Sequence, residues 1–414
     1  MKRSEGFQVA ATGVLALISA DLATRLLAPR RRLPPPEPVR LPDFFSPEEI
    51  HRARRYQRPQ IALSMAGAAL DTAALGWVVR RSRGRSGPAR KPGSTRAAVL
   101  GSAAYAAGLS VGLSLPGLPL AAVARRRSLA IGLSTQSWPG WLEDLAKATA
   151  IQSTLAAAGG AAVTAATRRW PRRWWLVAAG GSVAFGAGLA ALAPVVLDPV
   201  FNEFTPLPEG QTRRDVLELA GAAGVKVGEV YSVDASRRTT AVNAYVTGLG
   251  PTKRVVLFDT LIENFSREEV RVVVAHELGH VRHRDVVRSV ALAALIAPAA
   301  ALAVQRLSWT LSPARGEPGA LPALALATGL VSSPLGLLAG RLSRQIERQA
   351  DAFSLDLAER PDAFISFEQK IVRRNVADPA PPRILNLLAS HPPTDQRIGA
   401  ALAYERRAAS KAAH

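Results

Sequence analysis

Long apolar runs constrain this chain more than any motif does. A helix that crosses a bilayer needs roughly 20 predominantly apolar residues, and only helices or closed barrels satisfy their backbone polar groups there. Uncharged runs of that kind cover Ala97 to Ala124, Ala148 to Thr167, Trp174 to Leu197 and Pro318 to Gly340. Three more carry charge: Gly6 to Pro29 with Asp21 and Arg25, Pro59 to Val79 with Asp71, and Val286 to Gln305 with Arg288. Ala148 to Thr167 is the least apolar of the seven, being rich in Ala, Gly and Thr, and reads as a span or as a helix of a water-soluble core. The first run, behind Lys2 and Arg3, resembles a signal peptide; Asp21, Arg25 and the want of a small-x-small cleavage site favour a retained span. Asp21 and Asp71 are expected to face an interior cavity or a partner rather than lipid.

The formal net charge of +20 could mark a nucleic-acid partner. The arginines, however, cluster at span ends, as in Arg30 to Arg32, Arg52 to Arg58, Arg80 to Arg96, Arg125 to Arg127 and Arg168 to Arg173. Anionic head groups hold basic residues at those places, and the runs lack the aromatic interleaving of a nucleic-acid module. The expected partner is the lipid bilayer, with no nucleic acid. The chain has no cysteine, which excludes disulfides, thiolate ligands and cysteine nucleophiles.

Five of the seven spans lie within residues 1–197. Residues 198–285 then mix polar, charged and strand-like runs such as VGEVYSV and RVVLFD, as a water-facing α+β segment does. Two more spans occupy 286–340, and 341–414 is polar and helical in pattern. Because two spans are an even number, the segments before Val286 and after Gly340 emerge on one face of the membrane and can share a site.

Three of the six histidines fall within VVVAHELGHVRHRD, residues 272–285. In HELGH, His276 and His280 are four apart and lie on one helix face, where two imidazoles can converge on a zinc ion beside Glu277. At this composition a chance HExxH is expected only about 0.004 times. Ser266 reads as the N-cap of this helix, with Glu269 in the capping-box position. Gly279 costs helix propensity and signals close packing, against a metal partner or against another helix. His283 lies roughly 10 Å beyond His276 along the helix axis, too far to bind the same ion. Beyond the last two spans, Glu347 and Asp351 also share a helix face. Glu347 can complete a His₂Glu site with a fourth position left for water, and Asp351 can accept the far N–H of a ligand histidine.

HELGH together with ERQAD, SHPPTDQRI (390–398), NAYVTGLGPTKRVVLFDTLI (243–262), FNEFTPLPEG (201–210) and GLSTQSWPGW (132–141) resembles the type I CAAX prenyl proteases, membrane zinc metalloproteases related to HtpX. The resemblance covers most of the chain from about Gly132 onward. It implies a mainly α-helical polytopic membrane protein, with seven transmembrane helices around a chamber and an α+β zinc metalloprotease domain split by the last two spans. It further implies His276, His280 and Glu347 as ligands of one Zn²⁺, Glu277 as the base and Asp351 as partner of a ligand histidine. Asn243 and Tyr245 of the NAY motif would hold the substrate beside an edge strand, and His391 would stabilise the oxyanion. Arg397 either binds a substrate carboxylate or pairs with a nearby acid.

The expected activity is peptide-bond hydrolysis by metal-activated water. The substrate would be a peptide or membrane protein, C-terminally lipidated ones included, and the zinc domain would lie on the cytoplasmic side of a bacterial plasma membrane. A quality-control protease of HtpX type without prenyl specificity is the near alternative. A metal-regulated transporter or scaffold is the distant one, because a structural zinc site is normally closed by four protein ligands, and here three stand with a base.

Overall fold

The chain is described by a computed structural model that covers residues 3–83, 94–248 and 253–412. Part of the basic stretch Arg80 to Arg96 (84–93) and residues 249–252 of the NAY motif lie outside the described residues. The long apolar runs form helices: α1 (Arg3–Leu27), α2 (Pro47–Arg83), α3 (Thr95–Ser114), α4 (Leu118–Ala130), α5 (Trp138–Arg169) and α6 (Trp174–Val196). Then come β1 (Phe204–Pro206), α7 (Gln211–Ala222), β2 (Glu229–Val233), β3 (Ala244–Thr247), β4 (Arg254–Phe258) and α8 (Arg267–Arg282). The chain ends with α9 (Asp285–Leu311), α10 (Leu321–Ala358), α11 (Pro361–Asn375) and α12 (Thr394–Ala412).

Among the described residues, six helices or continuous helical stretches are long and apolar enough to cross a membrane; α3 and α4 form one of them. The expected seventh, Ala148 to Thr167, lies inside α5 and falls short in hydropathy. Its composition has a packing cause. Thr164 bonds to Ser102 of α3 at 2.8 Å, and a Cβ on Gly160 would stand 2.7 Å from Ala106 Cβ and 2.9 Å from the Ser102 carbonyl oxygen. Small residues let two helix backbones approach, and the same residues lower the hydropathy. The α1–α9 seam is built alike from Ala16, Ala20, Ala299 and Ala303. Asp21 pairs with Arg25 at 2.8 Å and approaches Arg341 at 3.7 Å, whereas Asp71 is exposed on α2.

The four strands form one sheet in the order β1-β2-β4-β3, with β2 and β4 parallel and the outer strands antiparallel to their neighbours. Val230, Val255 and Leu257 of the sheet are fully buried against Val274 and Leu278 of α8 and Val216 and Leu219 of α7. The start of α8 is locked by the expected capping box: Ser266 Oγ accepts from Glu269 N at 3.3 Å, and Glu269 Oε2 accepts from Ser266 N at 2.7 Å. Helix α8 then crosses α10 where Gly279 faces Ala350 and Phe353. Of the two readings of Gly279, helix packing is the one observed.

Candidate active site

The crossing of α8 over α10 sets His276 and His280 opposite Glu347. His276 Nε2 lies 3.1 Å from His280 Nε2 and 3.3 Å from Glu347 Oε2, and His280 Nε2 lies 3.7 Å from Glu347 Oε1. A tetrahedral ion with bonds of 2.0–2.1 Å separates its ligand atoms by about 3.4 Å. The three spacings therefore suit one small cation.

Each histidine is oriented from behind. His276 Nδ1 lies 2.9 Å from Asp351 Oδ1, and that carboxylate is gripped by Arg397, whose Nε donates to Oδ2 at 3.0 Å. His280 Nδ1 lies 3.0 Å from Asp285 Oδ2, and Asp285 Oδ1 accepts from Arg288 at 2.7 Å. With both Nδ1 atoms carrying the proton, two Nε2 lone pairs face each other and the carboxylate of Glu347, whose buried Oε2 makes no hydrogen bond. Such an arrangement is repulsive until a positive charge enters it. The electrostatics agree: burial opposes charge on His276, yet Asp351 and Glu347 raise its pKa to about 10. Burial in the same cleft raises the Glu277 carboxyl above its usual range, and a ligand atom of Glu277 lies within 4.8 Å of those of the two histidines.

Asp285 is a functional candidate that sequence reasoning missed. Five residues separate it from His280, which is off-face on a continuous helix. The helix is not continuous: α8 ends at Arg282, and Arg284 takes a left-handed conformation (φ 56°, ψ 44°) that turns Asp285 back onto the histidine. His283 sits at that end, its ring set edge-on to Phe353 with centroids 5.4 Å apart, outside the cluster.

His391 is exposed at the cleft, with Nε2 3.3 Å from Glu347 Oε2 and Nδ1 2.7 Å from Ser390 Oγ. Asn243 is exposed just before β3, and its carbonyl accepts from Phe258 N at 3.1 Å. The Tyr245 hydroxyl is not free, since it meets Asp198 Oδ2 at 3.3 Å. Arg397, for which a substrate carboxylate was one of two readings, is committed to buried acids: Asp351, and Glu368 at 2.6 Å. That geometry corrects its assignment as a substrate-binding residue. The GLSTQSWPGW segment braces the approach to β3, with Thr135 N donating to the Arg238 carbonyl and Thr240 N to the Leu133 carbonyl, both at 3.0 Å.

A cavity of about 1060 Å³ opens beside His280 and Glu347. Its walls are apolar and small, including Gly186 of α6, Val286 and Val290 of α9, and Gly336 and Leu337 of α10.

Residues 206–405 match the model of peptidase family M48. That match spans a little under half of the chain. The chain is 28% identical to an uncharacterized metalloprotease, YhfN of Bacillus subtilis (strain 168), over 86% of either chain. It is 32% identical to the CAAX prenyl protease 1 homolog of Oryza sativa subsp. japonica over 51% of this chain and 52% of the relative. With the CAAX prenyl protease 1 of Saccharomyces cerevisiae it shares 41% identity over 24% of this chain and 22% of the relative. The matched part is thus about half or less of those two relatives. In fold, it superposes on the crystal structure of S. mikatae Ste24p with a TM-score of 0.71 at 20% identity, covering 96% of this chain and 98% of that one. The chain is a multi-pass membrane metalloprotease, a hydrolase with a catalytic metal and a peptide substrate.

Proposed function

We propose that His276, His280 and Glu347 hold one zinc ion and that Glu277, Asp351 and His391 serve it in hydrolysis of a peptide bond. The observation that carries this reading is the set of mutual distances among the two Nε2 atoms and the Glu347 carboxylate, each near the edge of a zinc tetrahedron. When bound, zinc supplies a Lewis acid for the scissile carbonyl and an acidified water.

Glu277 takes a proton from the attacking water and delivers it to the departing amine, and the second proton of that water follows, so that water and peptide become a carboxylate and an ammonium group. With Ser390 donating to Nδ1, His391 carries its hydrogen on Nε2 and offers it to the carbonyl oxygen as negative charge develops. Asp351 holds the His276 ring in the tautomer that leaves Nε2 free.

The substrate backbone adds to the outer edge of β3. Among the described residues β3 pairs only with β4. Because Asn243 pairs by hydrogen bond with Phe258, alternation puts Tyr245 opposite Val256 and Thr247 opposite Arg254 as the inward-bonded pairs. The amides of Ala244 and Val246 then point outward to an incoming strand. Asn243, exposed at the head of that edge, would add its side-chain amide to the contact. The apolar cavity beside Glu347 suits the lipid of a C-terminally lipidated peptide.

In this reading the peptidase domain comprises 198–285 and 341–414, with five membrane helices over 1–197 and two more over 286–340, and it lies on the cytoplasmic side of the plasma membrane. The cysteine-free chain allows a single introduced cysteine near either terminus to report that side by labelling. Function is tested with purified protein in detergent. Cleavage should require zinc and disappear in Glu277→Gln with zinc still bound; full activity in that variant rejects the mechanism. Matched peptides with and without a farnesyl group test the substrate, and equal cleavage selects a quality-control protease of HtpX type.

A further inference from the structure

Away from the active site, the polar ends of two membrane helices enclose a second cavity of about 750 Å³. It is lined by His51, Arg52, Arg55 and Tyr56 of α2 and by Arg127 and Ile131 at the end of α4, with Glu48 as the acid in the wall. The three arginines have no acidic partner here. Arg54, on the same turn, pairs with Asp378 at 3.2 Å, and Arg373 nearby pairs with Glu49 at 2.6 Å. Arg52 and Arg127 instead reach backbone carbonyls, those of Ile131 at 3.4 Å and Arg55 at 2.9 Å, and the buried Nε of Arg127 has no hydrogen-bond partner. Among the described residues, none of the three forms an ion pair with a carboxylate. Three guanidinium groups around one cavity with a single carboxylate, Glu48, that pairs with none of them repel one another, and an anion relieves that repulsion.

The position of the cavity identifies the anion. The apolar part of α2 begins at Pro59, and that of the α3–α4 stretch ends at Ala124. The two helices are tied together there: Tyr56 bonds to Ser128 at 2.6 Å, and Gln60 donates to the Ala124 carbonyl at 3.0 Å. The arginines therefore stand where both helices leave the apolar zone, at the depth of lipid head groups. Guanidinium is the side chain whose donor fork matches a phosphate.

We propose that this cavity binds the phosphodiester head group of an anionic membrane lipid through Arg52, Arg55 and Arg127. The lipid would join α2 and α4 beside α11 of the peptidase segment.

The test uses the full chain, delipidated in detergent and titrated with phosphatidylglycerol or phosphatidylcholine under native mass spectrometry. Phosphatidylglycerol should bind at least about tenfold more tightly, as head-group electrostatics requires. The combined variant Arg52→Gln, Arg55→Gln and Arg127→Gln should lose that preference. A variant of equal charge, Arg58→Gln, Arg126→Gln and Arg172→Gln, changes exposed arginines outside the cavity and should keep it. Equal affinity for the two lipids, or equal loss in the two combined variants, overturns the proposal. So does saturable binding of inorganic phosphate in place of the lipid. If the first combined variant fails to fold, single Arg52→Gln and Arg55→Gln changes at exposed positions are read in the same way. No loss in either one overturns it.

Discussion

Gly279→Ala separates the stability of the α8–α10 crossing from the metal affinity it sets. An added Cβ would stand 3.1 Å from Phe353 Cδ1 and 3.4 Å from both Ala350 Cα and Phe353 Cβ. Carbon atoms prefer about 3.5–4.0 Å, so the Phe353 ring and the helix that carries it must give by up to about 0.4 Å. Overpacking of this kind costs about 1–3 kcal/mol, and replacing glycine by alanine in a helix returns about 1 kcal/mol. Net stability should therefore fall by only about 0–2 kcal/mol. The metal site is less tolerant, because ligand distances hold within about 0.2 Å. Gly279 is next to His280 and Ala350 is three residues from Glu347, so the separation falls between the ligand sets of the two helices. Metal affinity, measured by chelator competition, should drop at least about tenfold, or 1.4 kcal/mol. Adding Phe353→Ala should recover affinity while thermal stability falls further. An affinity within twofold of the parent, with a lowered melting temperature, would refute the idea that this crossing sets the ligand spacing.

Asp285→Ala frees the His280 ring and strands Arg288; metal affinity should fall about 10–100-fold, read by the same competition, with the unfolding temperature of the metal-free protein moving little by comparison. Glu368 is 1% exposed, and burial pushes its pKa up to about 7. The folded chain thus keeps a proton that the unfolded chain has lost above the ordinary carboxyl range near 4.3. Stability should decline as pH rises from there to about 7, and the thermal-unfolding profile of Glu368→Gln should lack that part of the slope; parallel profiles would show that the carboxyl is ionised throughout. Gly399→Ala places a Cβ on the Glu37 carbonyl, where the 28–46 connection crosses α12 and Glu37 N donates to Gly399 O at 3.0 Å. It should destabilise by about 1–3 kcal/mol and render that connection more sensitive to protease, which limited digestion would detect.

What was readable in the sequence depended on the periodicity that each feature obeyed. His276, Glu277 and His280, and separately Glu347 and Asp351, follow helix spacing, so their shared faces follow from residue numbers alone. That the two faces meet needed only the even number of intervening spans. Asp285 obeys no such period, because a single left-handed residue, Arg284, brings it to His280, and arginine carries no local signal for that conformation. Arg397 failed for another reason. A cation six residues beyond His391 suits a substrate carboxylate as well as a buried one, and only the packing of α12 against α10 and α11 supplies Asp351 and Glu368. The α5 helix shows the limit of hydropathy, since the glycine, alanine and threonine that seat it against α3 also dilute its apolar signal.

The two braces also tie the proposed peptidase segments to the membrane helices. Asp351 and Arg397 come from the polar end of α10 and from α12, but Asp285 and Arg288 form the first turn of α9, a membrane helix. Helix α10 is unbroken from Leu321 to Ala358, so one rod carries Gly336 and Leu337 in the cavity wall and Glu347 and Asp351 at the proposed metal site. Cutting out residues 286–340 would leave HELGH intact on α8 while removing Arg288 and the membrane portion that fixes the depth of Glu347. A site assembled this way holds its chemistry at one fixed height along α10, and under the proposed function a substrate lipid seated in the adjoining cavity would meet it at that height.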